Sequence, residues 1–184
     1  MMKNEPIRYE RSVTFGRFNI GHSGHVELIK TMLYYGEEAH VYISDGGANN
    51  DWALRALLLS RLCRKANLDM DRVYFLKAKN PFEAVEQSIE SSPWQEAAIV
   101  LGSDQQDMLR KLGEHFDCPT IINRRSNSST QMRFFLDAEI FREDLVHLYD
   151  GDEFSTALAM ILRKEERQRE KPNQVTAKAK VAAV

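Results

Sequence analysis

The ten residues Gly16-Arg17-Phe18-Asn19-Ile20-Gly21-His22-Ser23-Gly24-His25 gather two imidazoles, one guanidinium and three glycines. His22 and His25 are three positions apart, so in a first helical turn both rings face the same side. A helix N-terminus offers free N–H groups and the positive end of the helix dipole, which suits an anion such as phosphate. Two imidazoles placed there can donate hydrogen bonds to phosphate oxygens as negative charge builds in a transition state. Arg17 adds a permanent cation with a bidentate fork, and Gly24, lacking a Cβ, admits a phosphate group close to the backbone. Taken alone, two histidines could equally bind a metal or serve as solvated capping residues. The glycines, the arginine and an apolar segment just upstream favour an anion site.

A second group stands far along the chain, at Ser128-Ser129-Thr130-Gln131-Met132-Arg133. Hydroxyls at a helix start can cap the backbone and can also contact phosphate. Arg133 lies one turn beyond Ser129 and Thr130, on the same helix face. Alone, this pattern reads as an ordinary cap with a solvated arginine. A third feature, Gly102-Ser103-Asp104, closes an apolar run and puts a carboxylate in a loop.

Together these segments resemble a known family. Gly-Arg-Phe-x-x-x-His-x-Gly-His followed by a helical pattern is similar to the signature of the His-x-Gly-His nucleotidyltransferase superfamily, which is cytidylyltransferase-like in fold. Ser-Ser-Thr-x-x-Arg resembles that superfamily's second signature. The spacing from Gly16 to His22, with Ile29-Lys30 further along, most resembles nicotinamide-mononucleotide adenylyltransferases. The resemblance covers residues 12–136, and a paired match is far more specific than either motif alone. It implies an attack on the α-phosphorus of a nucleoside triphosphate, ATP first of all, by a phosphorylated small-molecule acceptor such as nicotinamide mononucleotide. Pyrophosphate leaves, Mg²⁺ is the cofactor, and catalysis is positioning and charge stabilisation.

By position the resemblance makes His22, His25 and Arg133 catalytic. Gly16, Arg17, Phe18, Gly24, Asp104, Ser128, Ser129 and Thr130 become nucleotide-binding. Three departures accompany the match. Asn19-Ile20-Gly21 replaces the Gln-Pro type of segment that shapes the acceptor side, Asn127 stands where an apolar residue is usual, and the loop Ser44 to Asn50 lacks a nicotinamide pattern. They leave room for cytidylyl transfer, for another acceptor, or for a binding or structural module that keeps the fold without turnover. A metal-dependent hydrolase built on His22 and His25 has no carboxylate nearby at ligand spacing.

Several elements must position these groups. Ser12 to Phe18 reads as a strand, followed by the glycine-punctuated loop and a helix in which Val26, Leu28, Ile29, Met32 and Leu33 recur at helical spacing as far as Gly36. Ala39 to Ser44, Arg72 to Leu76, Ala97 to Leu101 and Pro119 to Ile122 read as further strands. Between them stand helices over Trp52 to Ala66, from Asn80-Pro81 onward, and over Gln105 to Phe116. Leu54, Leu57, Leu58, Leu62 and Cys63 form the expected apolar face of the second helix. Such alternation predicts an α/β fold: a doubly wound, Rossmann-like, five-stranded parallel sheet of nucleotidyltransferase type, with C-terminal helices over Glu139 to Arg169. Ligands bind such sheets beyond the carboxyl ends of the strands, where strand order reverses, which singles out the loops after the first and fourth strands.

The 184 residues, 43% hydrophobic and 28% charged, fit one ordinary globular domain, expected over residues 1–170, with a flexible basic tail at 171–184. The net charge of -2 gives no reason to expect nucleic acid or a membrane surface as partner. Cys63 and Cys118 have no metal-ligand spacing, and with the polar N-terminus they suggest a reducing, cytoplasmic setting. A homo-oligomer is compatible with a chain of this size.

Overall fold

The computed structural model describes residues 9–18, 21–45, 52–90 and 96–124, the side chain of Leu54 apart. The chain divides into two units, Met1–Met132 and Arg133–Val184, and every described residue belongs to the first. That unit alternates β1 (Tyr9–Gly16), α1 (Ser23–Tyr35), β2 (Gly36–Ser44), α2 (Trp52–Lys65), β3 (Val73–Ala78), α3 (Pro81–Glu90), β4 (Ala97–Gly102), α4 (Gln106–Phe116) and β5 (Thr120–Asn123). All four strand pairings are parallel, and the spatial order is β3-β2-β1-β4-β5. The expected doubly wound five-stranded parallel sheet is therefore present. The expected C-terminal helices and the tail lie outside the described residues.

Burial on both faces explains the composition of the central strands. β4 reads Ala-Ala-Ile-Val-Leu-Gly and is buried throughout, as is β2 from Ala39 to Ser44. Alternate side chains serve opposite layers. Val41, Ile43 and Val100 join Leu28, Ile29 and Met32 of α1 and Leu59 and Cys63 of α2 in one core. Tyr42, Ile99 and Leu101 join Ala84 and Val85 of α3 and Leu109 and Leu112 of α4 in the other.

Element ends follow local chemistry. Asn80 caps α3 by accepting from the Glu83 N–H at 2.9 Å, with Pro81 at the first helical position. α1 runs into β2 without a loop. At Gly36 a Cβ would come within 2.8 Å of the Ser12 backbone nitrogen, so only glycine fits. Arg72, expected as the first residue of a strand, instead ends a short 3-10 turn. Its guanidinium donates to the carbonyl of Leu33, in the last turn of α1, and to those of Gly36 and Glu37, which open β2.

The expected face of α2 needs correction at one residue. Leu57 is 46% exposed, whereas Arg55 is only 6% exposed and shares the inward stripe with Leu58, Leu59 and Leu62. Both cysteines are free thiols. Burial pushes the Cys63 thiol up to about 12 and raises that of Cys118, so neither is poised as a nucleophile.

On the other face of the sheet, His40 sits in a polar knot. Its Nε2 lies 3.1 Å from Glu38 Oε2, its Nδ1 is 3.4 Å from Ser88 Oγ, and Tyr42 and Tyr74 flank the ring. Arg11 reaches the same Glu38 oxygen at 3.5 Å. Burial lowers the imidazole below its ordinary value of 6.5, Arg11 lowers it further, and the hydrogen bond and charge of Glu38 oppose the shift only in part. The unfolded chain therefore takes up this proton first. The stability contributed by neutral His40 is complete above pH 6.5 and is lost as pH falls through the unfolded value. Melting temperatures between pH 7.5 and 5.5 should fall more steeply for the wild type than for His40→Gln. Equal slopes would remove His40 as the source.

Candidate functional site

β1 and β4 are neighbours at the point where strand order reverses, so their chains leave toward opposite faces and a crevice opens at their carboxyl ends. Gly16, Arg17, Phe18, His22, Gly24 and His25 follow β1, and Asp104 follows β4 in the short 3-10 helix Ser103–Gln105. The topology thus brings the first and third sequence features to one edge. Ser128, Ser129, Thr130 and Arg133 lie outside the described residues.

The imidazole pair is the centre of the described part. His22 is the N-cap of α1, in extended conformation, and its Nδ1 accepts a 3.1 Å hydrogen bond from the Gly24 N–H. Its carbonyl accepts from the N–H groups of His25 and Val26, at 2.9 and 3.3 Å. The Gly24 N–H is thus engaged by His22. A nitrogen that accepts carries no proton, so this bond fixes neutral His22 as the Nε2–H tautomer. The His22 and His25 rings stack with centroids 3.8 Å apart and planes 27° apart. Both are inside the fold, at 0% and 4% exposure.

This geometry bears on the two plain alternatives. Solvated caps would be wet, and these rings are not. Imidazole binds a metal through an in-plane lone pair. Two stacked rings with centroids 3.8 Å apart do not aim such lone pairs at one ion, and Nδ1 of His22 is already occupied. Among the described residues no group of three His, Cys, Asp or Glu side chains is placed to hold a metal ion.

The pair rests on Phe18. That ring packs against His25 at 4.8 Å, tilted by 59°, and belongs to the core between the sheet and helices α1 and α2. Phe18 adopts a φ of 45°, in the left-handed region that costs a non-glycine residue about 1–2 kcal/mol. Gly16 makes room for the ring, since a Cβ there would lie 3.0 Å from it. Trp52 packs against the same core. The Arg17 side chain is exposed, while its carbonyl accepts from Arg55 Nη1. Arg55 Nη2 donates to the Ser44 carbonyl at 2.8 Å.

Arg55 escaped the sequence reading because an arginine within a helix reads as solvent-facing. Its place in the stripe Arg55, Leu58, Leu59, Leu62 was the available signal, since a buried arginine must find acceptors.

No protein-family model and no curated protein matches the chain. Solved structures do. A candidate nicotinate-nucleotide adenylyltransferase from Vibrio parahaemolyticus superposes with a TM-score of 0.59 at 15% identity, covering 80% of this chain and 97% of that one. A bifunctional NMN adenylyltransferase/ADP-ribose pyrophosphatase from Francisella tularensis, complexed with AMP and a manganese ion, gives 0.59 at 18% identity over 90% of this chain and 56% of that one. The nicotinic acid mononucleotide adenylyltransferase of Plasmodium falciparum, complexed with NaAD, gives 0.54 at 13% identity over 83% and 94%. The chain has the fold of these nucleotidyltransferases.

The packing of Phe18 between Gly16 and His25 is directly testable. Gly16→Ala should destabilise the protein by roughly 1–3 kcal/mol, because the ring must move in a packed core. In a Phe18→Leu background the same change should cost clearly less. Urea denaturation of the four proteins measures the coupling, and additive effects would show that the ring does not press on Gly16.

Proposed function

We propose that this protein is a Mg²⁺-dependent nucleotidyltransferase that moves the adenylyl group of ATP onto a phosphorylated small-molecule acceptor, nicotinamide mononucleotide first of all, and releases pyrophosphate. The observation that carries this reading is the stacked, buried His22–His25 pair at the N-terminus of α1, at the carboxyl edge of β1 where strand order reverses. The fold shared with nucleotide adenylyltransferases supports it.

In this reading an oxygen of the acceptor phosphate attacks the α-phosphorus of ATP. The bond from that phosphorus to the oxygen bridging α and β breaks, and pyrophosphate departs with the electron pair. Negative charge grows on the bridging and non-bridging oxygens. The Nε2–H of His22 and an N–H of His25 donate to those oxygens, and their burial strengthens the interaction relative to water. Arg17 neutralises the incoming polyanion. Gly24 keeps the first turn of α1 open to a close approach, while Gly16 and Phe18 support the imidazoles from below. The motif resemblance gives Ser128, Ser129, Thr130 and Arg133 the opposite side of the triphosphate, and gives Asp104 a place near the ribose or the metal. Magnesium, when bound, screens the phosphate charge and typically enters on the phosphates with several waters retained, so no dedicated cage of side chains is required.

Purified protein given ATP, Mg²⁺ and NMN should release pyrophosphate. His25→Ala should lower kcat roughly 10²–10³-fold, the usual effect of losing one transition-state donor. Release with CTP and not ATP would replace the nucleotide in this proposal. No release with any nucleotide and phosphorylated acceptor would leave the binding module as the better description.

A further inference from the structure

The buried guanidinium of Arg55 stands outside every motif, yet its hydrogen bonds end on the loop that carries the site. One nitrogen donates to the Arg17 carbonyl and another to the Ser44 carbonyl at the end of β2. The side chain thereby ties the β1–α1 connection to the neighbouring strand from α2, an element that contributes none of the residues named in the mechanism. We propose that Arg55 is a positioning residue that sets the geometry of the His22–His25 pair through Phe18.

The chain of contacts is continuous. Holding the Arg17 carbonyl fixes the plane of the peptide between Arg17 and Phe18. The torsion on the far side of that peptide is the φ of Phe18, which is 45°. A left-handed non-glycine residue persists only where its surroundings over-determine it. Here the constraints are the Arg55 bond on one side and the seat of the ring beside Gly16 on the other. The ring so placed meets the His25 imidazole at 4.8 Å, and His25 stacks on His22 at 3.8 Å. Release of the Arg17 carbonyl lets the peptide relax toward a right-handed φ. Phe18 then withdraws from His25, and the pair loses its support.

Arginine suits this task because its planar fork spans two acceptors from a buried position. Lysine would keep the charge and the stem but ends in a single nitrogen, which cannot reproduce the fork. The functional consequence rests on the nucleotidyltransferase reading, whereas the structural link from Arg55 to His25 does not.

The test compares wild type, Arg55→Lys, Arg55→Ala and His25→Ala, with assays well below the melting temperature of each. For Arg55→Lys, kcat for pyrophosphate release should fall roughly 10- to 100-fold while KM for ATP changes far less, because reacting groups are misplaced and binding is retained. Millimolar guanidinium should restore part of the rate of Arg55→Ala. The His25 ring-proton resonances of Arg55→Lys should move, since they lie under the Phe18 ring current. A purely structural arginine would lower the melting temperature and leave kcat and these resonances in place, and that result overturns the proposal. If neither wild type nor His25→Ala turns over any nucleotide, the functional reading fails separately. The His25 resonances of Arg55→Lys then decide: movement supports the link, and unmoved resonances overturn it.

Discussion

One topological constraint governs the described unit: β4 returns to lie beside β1 instead of extending the sheet past β3. A right-handed crossover then puts α1 and α2 on one face and α3 and α4 on the other. The segments leaving β1 and β4 diverge, and the gap between them cannot be closed by the sheet's own connections. The start of α1 lies at that edge, where His22 engages the first N–H groups of the helix, above a core that requires apolar strands on both sides. The chemistry of residues 16 to 25 follows from where this reversal falls.

The site is an extension of the core and not an addition to its surface. Phe18 belongs to the same cluster as Ile29, Val41, Leu59 and Val100, so the packing that stabilises the fold also supports the imidazole pair. This coupling has a cost. The left-handed Phe18 and the buried guanidinium of Arg55 are each unfavourable in isolation. They persist because each satisfies the other's requirement: the carbonyl whose orientation accompanies the strained torsion is an acceptor that the guanidinium needs. A position that breaks a local rule within a consistent fold is a natural place to look for function.

Much of this was legible in the sequence. The five strands stand out as apolar runs, because strands buried on both faces leave little choice of residue, and Asn80-Pro81 announced a helix start that the Glu83 hydrogen bond realises. The switch point followed from the order of elements, and the motif around His22 and His25 identified the residues that the structure brings together. Other features were not legible. Leu57 was assigned to the apolar face of α2 and Arg55 was passed over, because residue type alone does not say which side of α2 faces the sheet, and Arg72 was assigned to a strand although it ends a 3-10 turn and reaches the Leu33 carbonyl in α1. Both misreadings concern arginines whose acceptors are backbone carbonyls distant in sequence, a partner that no side-chain pattern encodes. The hydroxyl run at Ser128 to Thr130 and Arg133 lies outside the described residues, so the structure describes one half of the paired motif.

Identities of 13–18% to structures of the same fold show how little of a parallel sheet's sequence its architecture fixes. Function is therefore carried by groups whose placement the fold does not require. Most of β4 could exchange one aliphatic residue for another and still be buried. The same freedom does not extend to His22, whose ring is fully buried, whose Nδ1 is spent on Gly24 and whose face is spent on His25. Burying two imidazoles against each other contributes less to stability than an apolar pair of the same volume would, since each ring brings polar nitrogens that must be satisfied. Low dielectric surroundings strengthen the hydrogen bonds that those nitrogens make, because water competes little there. In the proposed nucleotidyltransferase reading the same strengthening acts on a bound polyanion, which separates the site from the core that carries it.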